Sequence, residues 1–154
     1  MTMPGKTLFS LRAKGMPSWP PYVASYIAKL GDWTEEEEVM VADMPWAVAW
    51  YADRVSVWLP STRDQFDELS RYGARRSTPF AGIYFSPLTT NQPLSTGVTG
   101  GEYEEWADMI LYGKMQKLKV PMSTADFPFP VGIPLPIEGQ TYLFTDSPGR
   151  IKFD

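Results

Sequence analysis

The chain reads as an α/β domain. The predicted architecture is a three-layer, open and mostly parallel sheet of about four strands, near residues 38–42, 55–59, 80–85 and 141–145, with flanking helices. Three observations predict it. Stretches of strand period alternate with stretches of helical period, the order that builds an open sheet through right-handed crossovers. Val39-Met40-Val41-Ala42 is a short, continuously apolar run, the profile of a strand covered on both faces. The segment from Met44 to Pro60 changes period partway, from helical to alternating, as a helix followed by a strand does.

With 154 residues, the chain has the size of one domain and can bury about 70% of its unfolded surface. Residues 1–18 read as a polar, Gly- and Pro-containing lead-in expected to be flexible, and 19–154 as the single domain. A helix is predicted over 21–30, opened by Pro20-Pro21 and carried by Val23, Tyr26, Ile27 and Leu30, with Gly31 as its stop. The run Glu35-Glu36-Glu37-Glu38 reads either as a solvated lead-in to the first strand or as an acidic surface for a partner or metal.

Residues 45–52 form a predicted helix with almost no polar face. Trp46, Ala49 and Trp50 lie on one side, and Val48, Tyr51 and Ala52 cover much of the rest, so the helix is expected to be covered. Asp43 stands where a cap would. Val55, Val57 and Leu59 then alternate with Ser56 and Trp58 in strand period. The link from Asp43 to Arg54 is near the lower limit for a crossover, which leaves antiparallel pairing of the first two strands open.

Ser61-Thr62-Arg63-Asp64 opens the next helix in capping-box fashion, with Phe66 and Leu69 as its buried stripe and Gly73 just past its end. Residues 80–85 read as the third strand, followed by a Thr-, Ser-, Gly- and Pro-rich loop to Gly101. Residues 102–118 are predicted as the longest helix. Its early glutamates and late lysines match the macrodipole, and Tyr103, Trp106, Met109, Ile110 and Leu118 form its core side. Residues 120–138 carry five prolines. That segment is apolar but cannot be an interior strand, because proline removes ladder donors. It reads as cover for a sheet edge, with a polyproline ligand or a membrane-resting segment as alternatives. Residues 141–145 are the last strand, and Asp146-Ser147-Pro148-Gly149 a turn.

Composition removes several chemistries. The chain has no cysteine and no histidine, so disulfides, thiol catalysis and a Ser-His-Asp triad are excluded. The net charge of −4 disfavours nucleic acid as the main partner, although Arg71, Arg75 and Arg76 make a local basic patch. Residues 1–15 lack the apolar core of a signal peptide, and no transmembrane helix is predicted, because Asp43, Asp53 and Arg54 interrupt the longest apolar stretch.

Open α/β sheets bind ligands at the carboxyl ends of their strands. The ligand-binding candidates are therefore Asp43, Trp46, Ser86 and Asp146. Asp43 and Asp146 read either as a carboxylate pair for a metal or acid–base work, or as a helix cap and an Asx-turn. Trp46, Trp50 and Tyr51 read either as a platform for a sugar ring or as core. No Gly-rich phosphate loop follows the first strand, so dinucleotide binding is disfavoured. No cofactor, metal ligand or catalytic residue is assigned.

One resemblance rests on Trp19-Pro20-Pro21-Tyr22, on the run from Val39 through Asp43-Met44-Pro45-Trp46 to Tyr51, and on Arg54 with Trp58-Leu59-Pro60. These residues resemble the soluble C-terminal domain of bacterial polytopic membrane glycosyltransferases of the dolichyl-phosphate-mannose protein mannosyltransferase type. The resemblance spans roughly residues 19 to 86 and implies a soluble α/β domain on the extracytoplasmic (periplasmic) face of the membrane. It carries over no catalytic residue, since in that family the catalytic carboxylates belong to the membrane part. It implies a non-catalytic accessory domain that packs on the parent membrane region or assists glycan or acceptor binding. Two other readings stay open: a free-standing small-molecule or sugar-binding module, and a carboxylate- or metal-dependent enzyme without histidine.

Overall fold

The first strand, β1, is Val39–Ala42, and all four of its residues are buried. It lies inside a five-stranded sheet of order β2-β1-β3-β5-β4, in which β2 is Ser56–Trp58, β3 Phe80–Tyr84, β4 Val131–Pro134 and β5 Thr141–Thr145. A computed structural model describes residues 22–136 and 141–151, so the expectations for the lead-in, for Trp19 and for the start of the first helix fall outside the described residues. The domain is mixed α/β, as the sequence predicts.

Strand directions are where the expectation needs correcting. β1 pairs parallel with both β2 and β3, so the short link from Asp43 to Arg54 does make a crossover. β5 runs antiparallel to β3 and to β4, which makes the sheet mixed and not mostly parallel. The cause is connection length. Only residues 135–140 separate β4 from β5, too few for a parallel crossover. β4 also adds a fifth strand, taken from the proline-rich segment. It sits at the sheet edge and ends on Pro134, where a missing ladder donor costs nothing.

Two cores flank the sheet. On one face Met40 and Ala42 of β1 pack with Ile27 and Leu30 of α1 (Ala24–Asp32) and with Ala47, Val48 and Ala52 of α2 (Pro45–Ala52). On the other face Val41 packs with Phe66 of α3 (Arg63–Arg75) and with Trp106, Met109 and Ile110 around α5 (Ala107–Lys117). A bulge in β3 lets Phe80 and Ile83 share the second face while Ala81 joins the first. Phe66 is ringed by Phe80, Trp106 and Phe129, with centroids 5.3–6.2 Å apart, a range in which aromatic pairs add to simple burial.

Several local expectations shift for physical reasons. Gly31 does not stop α1 but lies in its last turn, where a Cβ would stand 2.4 Å from the Ala52 carbonyl oxygen. The glycine lets α1 approach the end of α2. Gly31→Ala is expected to push the helices apart and cost on the order of 2 kcal/mol in denaturant unfolding; unchanged stability would contradict the close approach. The end of α1 is capped from a distance, because the Arg54 guanidinium donates to the carbonyls of Gly31 and Thr34, both at 2.8 Å.

The cap of α3 is Thr62, not Ser61; its side chain accepts from the Gln65 N–H at 3.3 Å. Gly73 lies inside that helix, and Ser77 takes the left-handed conformation at φ 58°. Leu69, expected in the buried stripe, is exposed. The stretch predicted as the longest helix starts late. Glu104–Trp106 is a 3-10 turn and α5 spans 11 residues, against 13 in α3. Leu118 lies beyond the last turn of α5 and is exposed, because Lys119 turns the chain at φ 55°. The predicted loop after β3 holds a helical turn, α4 (Pro87–Thr90), and a π turn at Leu94–Val98.

Candidate functional site

The crevice at the carboxyl ends of β1 and β3 is filled by the chain itself. Asp43 follows β1 directly, and Ser86 lies just after β3 and is the N-cap of α4. Both Asp43 carboxylate oxygens accept from the Ser86 N–H at 2.9 Å. One of them also accepts from the Ser86 hydroxyl at 2.9 Å and from the Thr89 hydroxyl at 2.5 Å. All three residues are buried. Burial pushes the Asp43 carboxyl above its ordinary 3.8, while the hydrogen bonds from Thr89 and Ser86 pull it down. Asp43 therefore does not cap α2, whose N-cap Met44 has no side-chain bond; it anchors α4 to the end of β1.

The structure brings Asp43 and Ser86 together but not Asp146. Because β5 runs antiparallel, its carboxyl end lies near the start of β3, at the opposite end of the strands from Asp43. Asp146 there accepts from the Arg150 Nε at 2.5 Å. Arg150 also clasps Glu38 in a two-point pair at 2.7 and 2.6 Å. Arg150 holds both carboxyls below their ordinary values. Glu35, Glu36 and Glu37 are exposed, as a solvated lead-in requires, but Glu38 is buried and paired.

The titratable groups near the strand ends are taken up by the fold. Asp43 is buried and engaged by three donors. Among the described residues no group of three acidic side chains is placed to hold a metal. Burial raises the Tyr84 hydroxyl above its usual range and pushes Tyr103 and Tyr142 up to about 12, so all three stay protonated near neutrality. Among the described residues no helix is long and apolar enough to cross a membrane.

The aromatic side chains behave differently. Trp46 is 50% exposed and Trp50 80% exposed, and with Ala49 they form the outward face of α2. Trp46 and Trp50 are therefore not core, whereas Tyr51 is partly buried and packs against the first core. The reason is the inward face, where Ala47, Val48 and Ala52 fit the close approach of α1 and the sheet and leave no room for an indole. Tyr22 stands against Trp46 at 5.6 Å and against Tyr51 at 5.7 Å. A second pair of aromatic residues, missed in the sequence, is Trp58 of β2 and Tyr72 of α3, which line one groove and are both more than half exposed. Its signal was present, since Trp58 falls opposite Val57 and Leu59 in the strand alternation.

Comparison with models of known protein families, with characterised proteins and with solved structures finds no match to this chain.

Proposed function

We propose that the chain is a non-catalytic accessory domain of a membrane glycosyltransferase-like protein, on the extracytoplasmic face, docking on the parent membrane region. The observation that carries the reading is the outward face of α2. Trp46, Ala49 and Trp50 form an exposed aromatic surface without a charge, on a helix whose other face is committed to the core. Large aromatic side chains facing water are the usual anchors of an interface, because each brings much apolar area with little loss of side-chain freedom. The deep carboxylate, Asp43, is engaged in holding α4, which supports a binding role over a catalytic one.

The test is an association measurement on the full gene product. The reading expects apolar spans encoded upstream and protection of Trp46 and Trp50 from oxidative labelling in the full protein relative to the isolated domain. A Trp46→Ser/Trp50→Ser variant is expected to keep the fold of the domain and to weaken its association with the membrane part at least tenfold, about 1.4 kcal/mol. Equal labelling in both forms would overturn the reading.

A further inference from the structure

The groove between the end of β2 and α3 has walls of two kinds. One wall is the chain from Trp58 to Ser61, and the other is Gln65, Glu68, Leu69 and Tyr72, which recur at the spacing of one helix face. The groove is open to solvent and has a volume of about 670 Å³, within the roughly 300–1,000 Å³ of small-molecule sites. Trp58 is 61% exposed and Tyr72 57% exposed.

Two polar side chains of the lining are uncommitted, while the Leu59 N–H and the Pro60 carbonyl are engaged by Ala42 and Trp106. Among the described residues the Gln65 amide and the Glu68 carboxylate have no partner. β1 takes the carbonyl of Val55 and the N–H of Leu59, so by alternation the N–H and C=O of Trp58 face the free edge of the sheet. Charge narrows the ligand. Glu68 is the one charged residue in the lining, which disfavours a phosphate or a carboxylate. The Arg76 guanidinium already lies over the Tyr72 ring, 5.1 Å from its centroid, which disfavours a cation at that wall.

We infer that this groove binds a neutral saccharide, with the C–H face of one ring stacked on Trp58 and its hydroxyls bonded to Glu68 and Gln65. A sugar matches the site because it presents an apolar face and, around its rim, groups that both donate and accept. Glu68 accepts from one hydroxyl, the Gln65 NH2 donates to another, and the edge groups of Trp58 can do either. The inference extends the accessory-domain reading by naming what the domain holds, and it uses residues other than the docking face of α2.

Calorimetric titration of the isolated chain with maltotriose, cellotriose and mannotriose tests it, alongside a phosphorylated hexose and tetramethylammonium. At least one neutral trisaccharide is expected to bind with a Kd of about 1 mM or tighter. Trp58→Ala is expected to weaken that binding about tenfold or more. Glu68→Gln is expected to weaken it several-fold. Both exposed-site variants are expected to keep the wild-type Tm, so lost binding would not reflect lost fold. Absence of binding by all three trisaccharides, binding that survives Trp58→Ala, or preference for the phosphorylated hexose or for tetramethylammonium would overturn the inference. Its failure would leave the docking role of Trp46 and Trp50 standing, and failure of the docking test would leave saccharide binding standing.

Discussion

Asp43→Ala lowers the unfolding free energy by on the order of 3 kcal/mol, read by urea denaturation. The loss follows from the donors left behind. The Ser86 N–H and the Ser86 and Thr89 hydroxyls are buried and point at the place of the carboxylate. Alanine offers no acceptor, so each donor bears part of its desolvation cost. In a domain of this size the same loss lowers Tm by roughly 6–12 °C. Amide exchange at Leu88 and Thr89 is expected to rise, because α4 loses its anchor. Asp43→Asn is expected to cost about 1 kcal/mol, since the amide keeps one acceptor and relieves a buried charge. An alanine variant as stable as wild type would mean that α4 stands without Asp43.

Arg150→Ala lowers stability by on the order of 2 kcal/mol near neutral pH and removes a pH dependence that wild type has. The guanidinium, 112 residues along the chain from Glu38, joins that residue, just before β1, to Asp146, just after β5. The Glu38 side chain is 11% exposed and that of Arg150 23%, so this pair is screened less than a surface pair. The sign is fixed by the direction of the shifts. Arg150 lowers both carboxyls in the folded state, so their contribution is fully present above the ordinary values of 4.5 for Glu38 and 3.8 for Asp146. It is lost as pH falls through the lower, folded-state values. Asp43 acts in the opposite sense. Its raised folded-state value means that stability falls as pH rises from 3.8 through that value. The difference in stability between wild type and Arg150→Ala is therefore expected to shrink as pH falls below 4. Arg150→Lys is not a rescue, because an ammonium cannot match the fork that reaches both carboxylates. A difference that stays constant from pH 7 to pH 3 would contradict the pairing.

Local structure was legible in the sequence and partnership at a distance was not. Helix α2 falls on 45–52 and β5 on 141–145 as their periods predict, because those signals are local. The direction of β5 depends on how much chain separates it from β4, and the predicted pattern lacked that strand. The bond from Asp43 to Ser86 spans 43 residues, and no spacing rule foretells which strand end a carboxylate will reach. Asp43 looked like a helix cap and instead holds the residue that caps α4, Ser86. Asp146 was grouped with Asp43 only because a parallel sheet would have put both strand ends on one edge. The tryptophans of α2 were ambiguous for a different reason. A helix apolar all round has no polar face to mark its outside, and the small residues Ala47, Val48 and Ala52 decide it by fitting where indoles cannot.

This domain engages its buried carboxylates in its own fold and turns Trp46, Trp50 and Trp58 outward, the exposure that the proposed binding role needs. Urea unfolding of Trp50→Ser tests it most directly, because the ring is the most exposed of the large apolar side chains described. The structure predicts stability within about 0.5 kcal/mol of wild type. A loss of about 3 kcal/mol or more, the cost of removing a core tryptophan, would place α2's aromatic face inside the fold and contradict the account.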